Sequence, residues 1–106
     1  MDKEYIVVMV TTSSQGEAEI IVQRLLEAKL IACGNIVGPA FSRFHWEGKI
    51  DGAEEFLVIM KSRRDLFEAL TKAVMALHSY DVPEIIALPV VDGSPDYLAW
   101  LDSCLK

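Results

Sequence analysis

The order in which strand-like and helix-like segments follow one another constrains this chain more than any other feature. Apolar or alternating runs predict four strands, over residues 4–12, 30–50, 54–61 and 84–91. Apolar residues three and four positions apart predict two helices, over about 14–29 and 62–78, and a short third helix after Pro95. This order, β-α-β-β-α-β with an added helix, predicts an α+β fold of the ferredoxin-like kind, with both main helices on one face of an antiparallel sheet. A chain of 106 residues without a composition break fits one such domain, residues 1–106.

Local signals predict where these elements begin and turn. Ser14 and Glu17 have the spacing of a capping box at the start of the first helix, and Ser62 and Asp65 have it at the second. Asp51-Gly52 predicts the hairpin turn between the second and third strands, because a type I′ turn needs positive φ at both central residues. Gly38-Pro39 predicts a bulge or bend within the long second strand.

The two arms of this hairpin, residues 40 to 61, are longer than the first strand can match. Part of them must project past the helices or pair with another chain, because an open sheet leaves unpaired N–H and C=O groups at its edges. Self-association is the economical solution.

Charge and composition exclude several classes of function. The formal charge of −6 repels phosphate backbones and anionic membrane surfaces, so neither nucleic acid nor a membrane is expected as a partner. No apolar stretch approaches the roughly 20 residues that span a bilayer, and the acidic start of the chain is unlike a signal peptide. Cys33 and Cys104 are far apart in the sequence, which favours reduced thiols and a cytoplasmic location. A single disulfide between them is the alternative.

A polar cluster precedes the fourth strand in HSYDVPEIIALP, residues 78–89. Pro83 prevents the second helix from continuing, so the cluster of His78, Tyr80, Asp81 and Glu84 lies at a helix-to-strand junction. In one interpretation these groups only satisfy carbonyls at the helix end. In the other they face a cleft and hold a cation or a small polar ligand.

Other residues also have two interpretations. Cys33 and His78 have the donor types that copper favours, and zinc could also use Asp81 or Glu84. In the other interpretation Cys33 in LIACGNI is a small buried hydrophobic residue. Trp46 in FHWEGK fills a core or an interface, or forms the wall of a ligand cleft. Basic residues at the start of the second helix either bind an anion or form a solvated turn: Lys61, Arg63 and Arg64.

Catalytic signals are few. No nucleophile lies in a recognisable motif, and no glycine-rich phosphate loop opens a helix, so the chain is predicted not to be an enzyme. The alternative is a small hydrolase or transferase in which Lys61 or Arg64 holds an anionic substrate and His78 is the general acid or base. RNA binding through aromatic strands would need positive charge that the chain lacks.

Five segments in this order resemble the CutA divalent-cation tolerance family: LIACGNI, FHWEGKI, EEFLVIMKS, HSYDVPEIIALPV and DYLAWL. The resemblance covers essentially the whole chain and implies ferredoxin-like protomers that assemble into a homotrimer. It also implies a link to tolerance of copper and other divalent metals, without a required cofactor. A ligand cleft between subunits is then lined by Trp46, Lys61, His78, Tyr80 and Glu84.

The resemblance also implies a metal site, because His78 and Cys33 match positions where metal-binding members have histidine and cysteine. The sequence departs from those members at Val10, where some have a further cysteine, and at Leu77, where they have a second histidine. Ser79 also replaces the usual proline before the tyrosine. Weak binding of copper or another divalent cation at an acidic surface is therefore expected rather than a copied copper site.

Overall fold

The computed structural model describes residues 3–106, which form four strands and three α-helices. The strands are β1 (Tyr5–Thr12), β2 (Cys33–Trp46), β3 (Lys49–Arg63) and β4 (Ile85–Pro89). The helices are α1 (Gln15–Glu27), α2 (Phe67–Leu77) and α3 (Pro95–Ser103). The element order confirms the predicted β-α-β-β-α-β pattern with a helix appended.

The four strands form one antiparallel sheet in the order β2-β3-β1-β4. Alternate residues of β1 are fully buried while their neighbours are half-buried, because only one sheet face is covered by α1 and α2. The core lies between that face and the helices, with Val8, Val58, Ile21 and Leu70 inaccessible to solvent. This arrangement is the ferredoxin-like fold that the element order predicts.

The turn of the long hairpin lies at Glu47-Gly48, and the prediction of a turn at Asp51-Gly52 is wrong. Glu47 and Gly48 both have positive φ, 50° and 76°, as a type I′ turn requires. Asp51 and Gly52 lie instead within β3, opposite Phe44 and Arg43. A turn at Asp51-Gly52 would place Trp46 opposite Leu57 and would separate Ile36 from its partner Val58, which is buried against the helices.

The second strand has the predicted irregularity, since the pairing of β2 with β3 shifts between Val37 and Ala40. The strand begins at Cys33, later than the predicted residue 30. Lys29 has a positive φ of 58°, and Leu30, Ile31 and Ala32 form a buried connection before the strand. The fourth strand is also shorter than the predicted 84–91.

The two predicted capping boxes have different outcomes. Ser14 caps α1, and its hydroxyl accepts from the N–H of Glu17 at 3.1 Å, while the Glu17 carboxylate accepts from Ser13 N–H instead of from Ser14. Ser62 does not cap the second helix, because β3 continues to Arg63. The buried Ser62 hydroxyl donates to Leu30 O at 2.6 Å, and α2 begins after a 3₁₀ turn with no side-chain cap.

The hairpin projects from the rest of the molecule as predicted. β1 pairs with β3 only from Phe56 to Arg63, so the arms beyond Glu55 have no neighbouring strand on that side within residues 3–106. The molecule is accordingly elongated, with dimensions of 46 × 26 × 22 Å. Large apolar side chains on these arms are exposed, among them Phe41 (82%), Trp46 (59%) and Ile50 (66%).

The sheet face opposite α1 and α2 is rich in apolar side chains. Pairing across the strands places Ile59, Met9 and Ile86 in one row, and Leu57 lies next to it in line with Val37. Val37 and Ile86 are each about half exposed, at 53% and 50%. We call this surface, Met9, Val37, Leu57, Ile59, Ile86 and Leu88, the open sheet face.

Candidate ligand site at the end of the first strand

His78 is the first residue after α2, and its side chain is fully buried against the end of β1. One ring nitrogen, Nε2, lies 2.7 Å from the carbonyl oxygen of Thr11. The other, Nδ1, accepts a hydrogen bond of 3.0 Å from the backbone N–H of Tyr80. The ring therefore joins the junction after α2 to the central strand.

Glu17 ties the N-terminus of α1 to the same junction. Its Oε2 accepts from Ser79 N–H at 2.7 Å and lies 3.9 Å from His78 Nδ1, while Oε1 accepts from Ser13 N–H at 3.2 Å. Burial by itself raises the pKa of Glu17, but the hydrogen bonds from Ser79 and Ser13 outweigh it and lower the pKa below its ordinary value. This carboxylate is therefore stabilised in its charged form.

Tyr80 connects the junction to the hairpin. Its hydroxyl donates to Oε2 of Glu55 at 2.8 Å, and its ring lies 4.7 Å from that of His78, tilted by 46°. Only 7% of Glu55 is exposed. Burial, the hydrogen bond to Glu55 and the carboxylate charges raise the pKa of Tyr80 to about 12, so its phenol is neutral at physiological pH.

The five residues predicted to line the cleft do not come together within one chain. His78 and Tyr80 are in contact, and Glu84 lies at the same end of β1, because the next residue, Ile85, is opposite Val10. Trp46 and Lys61 lie elsewhere. Glu55, which contacts Tyr80, marks the position of the junction on β3. Lys49, the partner of Trp46, lies six residues from Glu55 in one direction along β3, and Lys61 lies six residues from Glu55 in the other. Each separation is about 20 Å.

Cys33 and His78, the predicted metal ligands, lie near opposite ends of the sheet. Cys33 pairs with Lys61, which is opposite Val7, whereas His78 contacts Thr11, four residues further along β1 and about 13 Å away along that strand. Cys33 Sγ instead lies 3.7 Å from the hydroxyl of Tyr97 in α3. Within residues 3–106, no three His, Cys, Asp or Glu side chains converge as a metal site would require. The residues of one chain therefore do not fit a shared copper site.

The basic residues before α2 are engaged in pairing within the fold. Lys61 Nζ donates to Asn35 Oδ1 at 2.7 Å, and Arg63 bonds Asp65, Asp102 and the carbonyl of Lys106. Arg64 lies 3.4 Å from Glu4. These contacts favour the interpretation of a structural, solvated turn over that of an anion site.

No sequence motif singles out Glu55, and the spacing from Ser14 predicts only a capping role for Glu17. The signal for Glu55 is weak, because Glu54-Glu55 resembles the polar entry to a strand. Glu55 is buried, and its carboxylate accepts a hydrogen bond from Tyr80, a residue far along the chain, so no local pattern could identify the contact. The sequence allows two roles for Trp46, filling a core or interface and forming the wall of a cleft. Its exposure excludes packing in the core of a single chain.

These features define a class: a small ferredoxin-like α+β protein with a projecting hairpin, an open apolar sheet face and a polar junction at the end of its central strand. Residues 6–104 match the family described as "CutA1 divalent ion tolerance protein". The chain belongs to this family, as its sequence motifs predict. None of the helices within residues 3–106 has the length and apolar character needed to cross a bilayer.

Individual relatives support the assignment. The chain is 46% identical over 101 residues to "Protein CutA, chloroplastic" of Arabidopsis thaliana, covering 95% of this chain and 56% of that protein. A solved structure of a divalent cation tolerance protein, Cut A1, from Thermus thermophilus superposes with a TM-score of 0.94 at 38% identity, covering 96% of this chain and 99% of that one. A structure described as the "Periplasmic divalent cation tolerance protein CutA" of Archaeoglobus fulgidus superposes with a TM-score of 0.93 at 43% identity, covering 96% of this chain and 99% of that one.

Proposed function

We propose that this protein is a non-enzymatic homotrimer that binds divalent cations, copper among them, or a small ligand in clefts between its subunits. Divalent-cation tolerance is the role that the names of its relatives state. We expect this binding to be weak and to require no resident cofactor; no three-donor cluster lies within residues 3–106 of one chain, so any site would combine residues from different subunits. The excess of acidic residues, which gives a charge of −6, attracts cations.

The observation that carries the proposal is the open sheet face together with the unpaired hairpin arms. Contiguous exposed apolar side chains next to free strand edges are typical of association surfaces. Two sister subunits would cover both features.

The clefts form only in the assembly. Trp46 and Lys61 each lie about 20 Å along β3 from Glu55, the partner of Tyr80, so one chain cannot gather them. A neighbouring hairpin would bring its Trp46 to the polar junction of His78, Tyr80 and Glu84. The ligand would then lie at subunit boundaries.

The environment of His78 supports the non-enzymatic part of the proposal. The general acid or base of the alternative hydrolase, His78, is fully buried with both ring nitrogens hydrogen-bonded to backbone groups. A proton-transfer group must reach its substrate directly or through one water. The cytoplasm is the proposed compartment, on the basis of the two free cysteines, although relatives are described as chloroplastic and periplasmic.

Sedimentation equilibrium at micromolar concentration tests the assembly. Wild-type protein is expected at three times the 11.8 kDa chain mass. Ile86→Asp, on the open sheet face, is expected to dissociate the trimer because it would bury three charges. Ile20→Asp is a matched control, since Ile20 is similarly exposed (54% against 50%) but lies on α1. A well-folded wild-type monomer would contradict the proposal.

Calorimetric titration tests ligand binding separately. Copper is expected to give saturable heat with trimeric protein and to compete with zinc. If neither metal produces heat, the metal part of the proposal is wrong, and the small molecules retained through native purification, identified by mass spectrometry, become the candidates.

A further inference from the structure

We infer that His78 is a positioning residue that holds Tyr80 against Glu55, and that its imidazole is not a metal ligand in this protein. The inference rests on the proposed function only in treating Tyr80 as part of the cleft. The protonation pattern of the ring, its burial and the position of its neighbours support it.

The hydrogen-bond partners of His78 allow one protonation state. Thr11 O is a carbonyl and can only accept, so Nε2 must carry a hydrogen. The backbone nitrogen of Tyr80 can only donate, so Nδ1 must be free of hydrogen. Both bonds form together only in the neutral ring with hydrogen on Nε2.

This arrangement leaves no lone pair for a metal ion. The Nε2 lone pair is absent in this tautomer, and the Nδ1 lone pair receives the N–H of Tyr80. Coordination at either nitrogen would leave a backbone group of the junction without its partner. The side chain also has no exposed surface, so an ion could reach it only after the junction opened.

The same bonds orient Tyr80. The ring of His78 is fixed at one side by β1, and its other side holds the Tyr80 backbone and packs against the Tyr80 ring at 4.7 Å. The phenol can then donate to Glu55 across the end of β1 at 2.8 Å. Removing the imidazole would release Tyr80 from both contacts.

Long-range ¹H–¹⁵N NMR of the wild-type protein tests the metal statement directly. At neutral pH, His78 is expected to show a protonated Nε2 and an unprotonated Nδ1, unchanged when Zn²⁺ is added. His45, exposed on the hairpin, is the internal control for nonspecific contact with zinc. The other tautomer, or a zinc-dependent shift of a His78 nitrogen larger than that of His45, would overturn the inference.

Variants test the positioning role. His78→Ala is expected to move the Tyr80 amide signal and to speed its hydrogen exchange by roughly tenfold, about the effect of one lost hydrogen bond. His78→Asn keeps an acceptor near Nδ1 and should restore most of this protection, whereas His45→Ala should have no effect. If His78→Ala does not fold, the positioning role is tested by comparing Tyr80 amide exchange in His78→Asn with that in the wild type. Unchanged Tyr80 exchange in folded His78→Ala, or fast exchange in His78→Asn, would refute the positioning role.

These measurements separate the inference from the proposed function. A protein that keeps the predicted tautomer but sediments as a monomer contradicts the trimer alone. A trimer that binds zinc through His78 contradicts the inference alone.

Discussion

The hydroxyl of Tyr80 donates a 2.8 Å hydrogen bond to Oε2 of Glu55, and this contact joins the segment after α2 to the hairpin at the point where β1 ends. Glu55 directly precedes Phe56, where the pairing of β3 with β1 begins. The contact therefore stabilises the base of the projecting arms.

Loss of this hydroxyl is expected to destabilise the protein. Tyr80→Phe leaves a buried carboxylate without its donor, at a cost of about 1–3 kcal/mol in the free energy of unfolding. Urea denaturation at one fixed protein concentration measures it. Tyr97→Phe is the control, because Tyr97 is 43% exposed and its hydroxyl contacts a thiol, a weak partner, so its effect should be smaller. Equal effects of the two variants would contradict the importance of Glu55.

Stability is expected to fall at alkaline pH partly through Tyr80. Its pKa is about 12 in the fold against 10.0 as a free side chain, so the unfolded chain releases the proton first. The contribution is complete below about pH 10 and disappears as pH rises through about 12. Thermal unfolding across this range should therefore show a steeper decline for wild type than for Tyr80→Phe. Parallel declines would show that Tyr80 titrates normally.

Stability is expected to fall at acidic pH partly through Glu17. Its pKa lies below the ordinary 4.5 in the fold, so stabilisation by this carboxylate is complete above that value and is lost as pH falls through the folded pKa. Glu17→Gln should lose less stability than wild type between about pH 5 and about pH 3, as measured by urea denaturation. Glu19→Gln, exposed on the same helix, should behave as wild type does.

The hairpin turn can be improved by a single substitution. Glu47 has a φ of 50°, which asparagine tolerates better than glutamate, so Glu47→Asn is expected to stabilise the hairpin by up to about 1 kcal/mol. Gly48→Ala, at a φ of 76°, should destabilise it by about 1 kcal/mol or more. Denaturation midpoints that move in the same direction for both variants would contradict the type I′ assignment.

Ser62 is expected to act through its hydroxyl. Ser62→Ala removes the donor to the carbonyl of Leu30 at a fully buried position, which costs about 1–3 kcal/mol. Ser94→Ala is a control, because Ser94 is exposed and its side chain makes no capping hydrogen bond. Hydrogen exchange near Leu30 should increase only in Ser62→Ala, and an unchanged unfolding midpoint in that variant would refute the role.

Most of the fold could be predicted from periodicity, because a side chain's access to the core repeats every two residues in a strand and every three to four in a helix. The buried alternate residues of β1 and the apolar stripe of α2 are both local patterns. The site could be predicted only in part. A proline-bounded junction brings His78 and Tyr80 together in the sequence, whereas their partners Thr11, Glu17 and Glu55 are distant along the chain.

Where two local sequence signals competed, the pairing of residues distant in the chain determined which of them formed. Asp51-Gly52 is a stronger turn signal than Glu47-Gly48, yet the burial of Val58 and Met60 opposite Ile36 and Gly34 sets the register of the hairpin. The same cause keeps Ser62 in a strand, because β1 pairs with β3 as far as Arg63.

The sequence by itself determined the order of the elements and the presence of a long hairpin, since each depends on residues close together in the chain. Motifs spread along the chain identified the family. Only the tertiary structure decided the register of the hairpin, the burial of Glu55 and the hydrogen-bond partners of His78. These depend on backbone groups and side chains that distant segments bring within hydrogen-bonding distance, and no local pattern records such distances.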